Sequence, residues 1–265
     1  MIGCFSLARE TFDIDFAKKK LVKTKKIIKN LNKNINFFDD LITNEKIGKS
    51  AIKHFENNKC SKFIVIQSTF TDAKFISSFV KKFKKPIFFI SLKEKRSGGR
   101  LRLNSLCGVN LGLHALIKNK FYSNFIIYAN NDKSFCREIL KFIKKNNNFT
   151  KNNYLKKINL KIINEKMIQY KQPKLGLIGV RPEGFDTCDF NNEELKSKFN
   201  AKIEKIKLQS LFNISSKVDK KTINLTKKNI SKNLKNINQV NQKELNKSIS
   251  LFHGFETIQQ TKNIN

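Results

Sequence analysis

The stretch Pro86 to His114, PIFFISLKEKRSGGRLRLNSLCGVNLGLH, decides the fold. Its first six residues, Pro86 to Ser91, form a short apolar run. That is the pattern of a strand buried on both faces of a parallel sheet. A cationic loop follows, with Arg96, Gly98, Gly99 and Arg100. From Asn104 to Ile117, small and apolar residues recur at helical spacing. α/β proteins place ligand-binding groups in such strand–loop–helix connections, at the carboxyl ends of the sheet strands. Glycines there let the backbone approach a ligand or a neighbouring subunit closely.

The same alternation extends outward from this stretch. Strands are expected at Ile2–Leu7, Ile35–Phe38, Phe63–Ile66 and Phe125–Tyr128. Helices are expected at Phe16–Leu31, Ile47–Phe55, Asp72–Phe83 and Ser134–Lys144. Strands alternating with helices of this length specify βαβ units. The fold class is therefore α/β: a parallel-sheet, three-layer, Rossmann-like amino-terminal domain over residues 1–150. A connector, 151–172, follows, with a further short strand at Leu160–Ile163. Residues 173–265 read as a partial second α/β unit with a helical tail. Its strands are Leu175–Val180 and Ala201–Ile206, separated by the loop Arg181–Asp186 and a short helix at Glu193–Phe199. After a helical turn at Leu208–Phe212 come two polar, Lys- and Asn-rich helices, Lys217–Asn236 and Asn241–Gln260. Their sparse apolar positions need a partner surface. Two clear strands make an incomplete sheet.

Composition narrows the function classes. The chain of 265 residues has a formal net charge of +33, which raises a nucleic-acid hypothesis. Two observations argue against it. Only six of the 54 basic residues are Arg, and the abundant Lys, Asn, Ile and Phe all have AT-rich codons. The lysines are also spread along the whole chain, whereas a binding footprint clusters. No nucleic-acid partner is expected. The five cysteines (Cys4, Cys60, Cys107, Cys136 and Cys188) are odd in number, widely spaced and without a CxxC. Reduced thiols are the plain reading, against a disulfide framework or a zinc site. The apolar Met1–Ala8 is too short for a secretory core, and no run approaches the ~20 residues that span a bilayer. No membrane association and a cytoplasmic location are expected.

No catalytic constellation stands out. None of His54, His114 and His253 has a metal-ligand partner at helical spacing. His54 reads as solvated on a surface helix, and His114 as a packing residue or a ligand-facing one. GxSxG, Walker A and GxGxxG are absent, and LGLIGV lacks the third glycine of a dinucleotide loop. Polar residues do gather at strand ends: Arg9 and Glu10 after the first strand, Gln67 to Thr69 after the third, Arg96 to Arg100 after the fourth, and Glu183 to Asp186 after the first strand of the second unit. Arg9, Gly98, Gly99, Arg100 and Asn104 are the candidate substrate-binding residues. Guanidinium forks and amides offer directed hydrogen bonds to a polar ligand.

Three segments carry a family resemblance: Ile2–Ala17 (IGCFSLARETFDIDFA), Ile64–Leu116 (IVIQSTF to GLHAL) and Lys174–Phe212 (KLGLIGVRPEGFD to KLQSLF). In content, order and separation they resemble the L-fucose isomerase and L-arabinose isomerase superfamily, in its fucose isomerase-like branch. The resemblance implies an aldose–ketose isomerase acting on a sugar with Mn²⁺ or a similar divalent metal. It places the metal ligands and acid/base groups beyond the region this chain matches, so the chain offers no ligands for the metal and no catalytic residue. It also implies a homo-oligomer, or a separate carboxyl-terminal half, in which amino-terminal domains help close a neighbour's active site. The chain then corresponds to the amino-terminal portion of such an isomerase, from a truncated product or a split enzyme. The competing expectation is a sugar-binding module without chemistry.

Overall fold

The computed structural model describes residues 1–95, 99–120, 124–128, 133–144, 172–234 and 236–264. The expected connector and the short strand at Leu160–Ile163 lie outside the described residues, save for Gln172. The chain divides into two compact units, Met1–Lys156 with Pro182–Asp189, and Lys157–Arg181 with Phe190–Asn265.

Among the described residues the first unit holds five strands: β1 (Ile2–Leu7), β2 (Ile35–Ile42), β3 (Lys62–Gln67), β4 (Ile87–Leu92) and β5 (Asn124–Tyr128). They pair in the order β2-β1-β3-β4-β5, every pair parallel. The described helices beside them are α1 (Ile14–Leu31), α2 (Glu45–Asn57), α3 (Lys74–Phe83), α4 (Ser105–Lys118) and α5 (Lys133–Lys144). Alternate strand residues feed two separate cores, as the two-residue period of a strand requires. Phe5, Leu7, Phe63, Val65 and Phe89 pack with Ala51, Phe79 and Val109 of α2, α3 and α4. Cys4, Ile64, Ile66, Phe88 and Ile90 pack with Leu21 and Ile28 of α1 and with Phe135 and Ile139 of α5. Helices thus cover both faces, giving three layers. The covering helix changes face where the strand order reverses at β1, which a constant crossover hand requires.

Local chemistry sets the helix starts. Asp13 Oδ1 accepts from the Phe16 N–H (2.9 Å) and Asn44 Oδ1 from the Ile47 N–H (3.1 Å), each relieving an unpaired first-turn donor. α3 ends at Lys84 in the left-handed region. β2 runs four residues past its expected end at Phe38. The Asp39–Asp40 pair breaks the apolar pattern, but a register shift against Cys4–Ser6 of β1 absorbs it. Lys25 Nζ then holds Asp39 through both its carboxylate and its carbonyl, each at 3.2 Å.

The second unit contains β6 (Lys174–Ile178) and β7 (Lys202–Ile206), a parallel pair. Its described helices are α6 (Asn192–Phe199), α7 (Leu208–Ser215), α8 (Lys220–Asn233) and α9 (Gln242–Lys262). The core is small: Ile206, Leu211 and Ile258 are buried, with Ile178, Leu251 and Ile264 packed against them. α7 and α9 touch at Gly254, where an added Cβ would run into Ser215 Oγ and meet Leu211 Cδ1 at 3.0 Å. Among the described residues no helix is long and apolar enough to cross a membrane.

Candidate functional site

The strand order reverses between β1 and β3, and in open α/β sheets ligands bind at such a switch point, outside the carboxyl ends of the strands. β3 ends there in buried polar residues, and β1 runs into the exposed Arg9. Ser68 N–H donates to the Leu7 carbonyl at 2.8 Å, and Arg9 N–H donates to Thr69 Oγ1 at 2.8 Å, tying the two strand ends together. Gln67, Ser68 and Thr69 are all buried. The Gln67 amide donates to the Thr69 carbonyl (2.7 Å) and to Thr71 Oγ1 (2.9 Å), which fixes the turn after β3. It fits only because Gly108 of α4 faces it: a Cβ at Gly108 would lie 2.7 Å from Gln67 Nε2. Ser105 Oγ donates to the Gln67 carbonyl and accepts from the Leu92 N–H at 2.9 Å, locking the start of α4 to β3 and β4. Ser68 Oγ is buried and has no hydrogen-bond partner among the described residues.

The connection from β4 to α4 is drawn across this end of the sheet. The Glu94 carboxylate accepts three backbone N–H groups: Arg102 (2.7 Å) and Leu103 (3.0 Å) at Oε2, and Asn104 (2.7 Å) at Oε1. The Leu103 carbonyl accepts from Phe70 N–H, just after β3, at 2.8 Å. Farther over, Arg100 Nη2 donates to the Thr11 carbonyl (3.1 Å) and its guanidinium lies 5.5 Å from the centre of the Phe12 ring. Arg102 pairs with Asp13, with Nη2 2.6 Å and Nε 2.8 Å from Oδ2, and stacks over Phe16 at 3.8 Å. The Asp13 carboxyl is held below its ordinary pKa, first by the Phe16 N–H and then by the Arg102 side chain. Because β4 and β1 lie on opposite sides of β3, this connection crosses the β3 end to reach the loop after β1.

Four of the five candidate residues can be placed on this rim. Arg9 and Arg100 are exposed, on the loops after β1 and β4. Asn104 is half-buried, in the left-handed region (φ 50°), and its side chain makes no cap bond to α4. Gly99 is exposed, and a Cβ there would meet nothing within 4 Å among the described residues. Gly98 lies outside the described residues. The loop Arg181–Asp186 also contributes: its residues from Pro182 belong to the first unit. Gly184, at φ 83°, accepts from Ala73 N–H through its carbonyl at 3.0 Å, Glu183 pairs with Lys74 at 2.5 Å, and the Phe185 ring lies 5.8 Å from Phe70. Sequence reasoning missed Asp13, Glu94 and Arg102. Asp13 carries a legible signal, an N-cap residue directly before the α1 pattern. Glu94 carries none, since its partners are backbone groups of a loop.

His54 departs from expectation. It is half-buried, with Nε2 3.0 Å from Asn36 Oδ1 and its ring set edge-on to Phe38 and Phe55. His253 joins two helices, with Thr226 Oγ1 and Glu256 Oε2 each 2.8 Å from a ring nitrogen. A divalent metal finds no fit here: among the described residues no three His, Cys, Asp or Glu side chains gather as a metal needs. The carboxylates nearest the crevice are already engaged, Glu94 by backbone N–H groups, Asp13 by Arg102 and Glu10 by Thr43 Oγ1 at 3.0 Å.

The chain is similar to sulfoquinovose isomerases. Those of Priestia aryabhattai and Priestia megaterium are each 28% identical over 206 residues, 78% of this chain and 42% of the relative. That of Alkalicoccus urumqiensis is 31% identical over 150 residues, 56% of this chain and 30% of the relative. The chain thus spans less than half the length of these relatives. Residues 3–171 match the family described as fucose/sulfoquinovose isomerase, N-terminal domain, and the chain belongs to that family.

Proposed function

We propose that the chain is the substrate-rim and assembly portion of an aldose–ketose isomerase acting on a sugar of the fucose or sulfoquinovose type. The observation that carries this reading is the family match over residues 3–171. The architecture is compatible with it. Arg9, Gly99, Arg100 and Asn104 lie on loops at one end of a rigid parallel sheet, at the edge where α/β folds bind ligands. Arginine offers a planar donor fork and asparagine both a donor and an acceptor, which suits hydroxyls and, for arginine, an anionic sugar substituent. Aldose–ketose isomerisation uses a Lewis acid to hold the substrate oxygens while a hydrogen moves. In this proposal that group and the acid/base residues come from a carboxyl-terminal portion, joined to this chain or supplied by a partner, and oligomer contacts close the site.

A chimera tests it. The matched segment of the Priestia megaterium sulfoquinovose isomerase is replaced by its counterpart from this chain, and turnover of sulfoquinovose is measured with Mn²⁺ present. Turnover abolished by chelation and restored by metal is the expected result. A chimera that folds and assembles like the parent yet turns over nothing overturns the proposal. Sugar binding by the unmodified chain, with an inactive chimera, instead identifies a binding module without chemistry.

A further inference from the structure

Asn104 opens α4 in a conformation that helix starts do not use. An ordinary N-cap residue keeps φ negative, and its side chain accepts an N–H of the first turn. Asp13, Asn44, Asn191, Asp219 and Asn241 all do this here. Asn104 instead has φ 50° and ψ 34°, and its side chain makes no cap bond. Among the described residues seven other non-glycine residues have positive φ. Five of them, Lys59, Lys84, Lys120, Asn200 and Asn263, lie just past helix carboxyl ends, where the left-handed conformation is customary. Asn104 is the one that starts an α-helix. A left-handed non-glycine residue costs energy, persists only where its surroundings hold it, and is found most often at ligand clamps and active sites. The conformation leaves the Asn104 amide unused by the helix it precedes.

Two side chains hold that backbone. Glu94 Oε1 accepts the Asn104 N–H at 2.7 Å, while Oε2 accepts those of Arg102 (2.7 Å) and Leu103 (3.0 Å). A carboxylate suits three converging donors because it only accepts, and its charge strengthens each bond. The Lys20 ammonium of α1 is lowered in pKa by burial, and the nearby Glu94 charge opposes that shift, so opposite charge also faces the carboxylate. On the far side, Ser105 Oγ ties the next residue to the Gln67 carbonyl and to the Leu92 N–H. We infer that Glu94 is a positioning residue: it holds Asn104 left-handed and so presents the Asn104 side-chain amide at the substrate rim. What that amide meets rests on the isomerase reading. The link from Glu94 to Asn104 does not.

Glu94→Gln separates Asn104 from its neighbours. The one carbonyl oxygen of glutamine can still serve Arg102 and Leu103, and its NH2 then faces the Asn104 N–H, donor against donor. In the full chain, NMR should show the Asn104 amide exchanging about tenfold faster or more, with circular dichroism unchanged. The chimera described above reads the second half. Asn104→Gly keeps φ 50° without strain and removes only the amide. Asn104→Gly and Glu94→Gln should each lower kcat/KM about tenfold. The double variant should match Asn104→Gly within about twofold, because Glu94 acts through Asn104; a merely structural Glu94 would make the two losses multiply. Unchanged exchange at Asn104 in Glu94→Gln, unchanged kcat/KM in Asn104→Gly, or multiplying losses overturn the inference. Where Glu94→Gln misfolds, the wild type decides: a protected Asn104 amide supports the link, and one exchanging as fast as an unstructured amide overturns it. An inactive chimera with wild-type Glu94 and Asn104 counts against the isomerase reading, while amide exchange still decides whether Glu94 positions Asn104.

Discussion

Arg102 reaches from the β4–α4 connection to Asp13, the residue that caps α1, and Nη2 lies 2.6 Å from Oδ2. The same carboxylate accepts the Phe16 N–H through its other oxygen at 2.9 Å. The Asp13 N–H in turn donates to the Arg102 carbonyl at 3.1 Å. One aspartate therefore starts a helix and anchors the loop that carries Arg100 and Asn104 across the end of β3.

Asp13→Asn separates these two duties. Asparagine caps helices as well as aspartate, so the Phe16 bond is kept while the charge partner of Arg102 is lost. Both groups are partly exposed, and screening keeps the effect modest. The pH dependence follows from the depressed Asp13 pKa. A carboxyl whose folded pKa lies below its unfolded value adds stability above the unfolded value, here near 3.8, and loses it as pH falls through the folded value. Urea midpoints of wild type and Asp13→Asn should differ near neutral pH, converge below pH 3.8 and converge also in high salt.

Gly108 and Gly99 make opposite predictions for the same kind of change. A Cβ at Gly108 would lie 2.7 Å from the Gln67 amide, which is packed and doubly hydrogen-bonded. Gly108→Ala should destabilise the first unit by about 1–3 kcal/mol, the usual cost of overpacking. Adding Gln67→Ala should recover part of that loss, a coupling that a double-mutant cycle in urea measures. Gly99→Ala meets open space and should stay within about 0.5 kcal/mol of wild type.

The cysteines should separate cleanly by burial. Burial pushes the Cys4 thiol up to about 12 and the Cys60 thiol up as well, while Cys107 and Cys188 are exposed. The thiolate is the reactive form, so a brief native alkylation should label Cys107 and Cys188 and spare Cys4 and Cys60. All five should react in denaturant, read by peptide mass spectrometry.

The strands were legible because each core strand is an uninterrupted apolar run, as in PIFFIS, and a strand covered on both faces needs nothing else. β2 was half legible. Asp39 and Asp40 end its apolar pattern, and only pairing with β1 and the reach of Lys25 show that the strand continues. The strand order was not legible at all, since adjacency is set by crossovers and not by any one segment. Arg9, Arg100 and Asn104 were placed by sequence after strands, and they do lie in the connections at that end of the sheet. Glu94 escaped because its role is to accept backbone N–H groups eight to ten residues ahead, which leaves no side-chain pattern. His54 was misread for a related reason: Asn36 and Phe38, which half-bury it, belong to a strand 16 or more residues away.

Gly99 also gives the sharpest test of whether the rim acts within the chain or beyond it. Nothing among the described residues lies within 4 Å of a Cβ placed there, so even Gly99→Val should leave folding intact. A loss of function with folding kept would point to a group that the rim meets in action, such as a substrate or a neighbouring subunit. Arg100 is the complementary probe. Its guanidinium is held by the Thr11 carbonyl and the Phe12 ring, and the residue is exposed, so Arg100→Ala removes a donor fork without opening the core. In the chimera described above, both variants should keep the parent's circular dichroism and urea midpoint. Arg100→Ala should lower kcat/KM by about tenfold or more, the scale of a lost hydrogen bond to a charged donor. Gly99→Val should lower it as well where the rim closes on a ligand or a neighbour. Unchanged kcat/KM in both variants would assign the loop to solvated surface and remove Arg100 and Gly99 from the substrate rim.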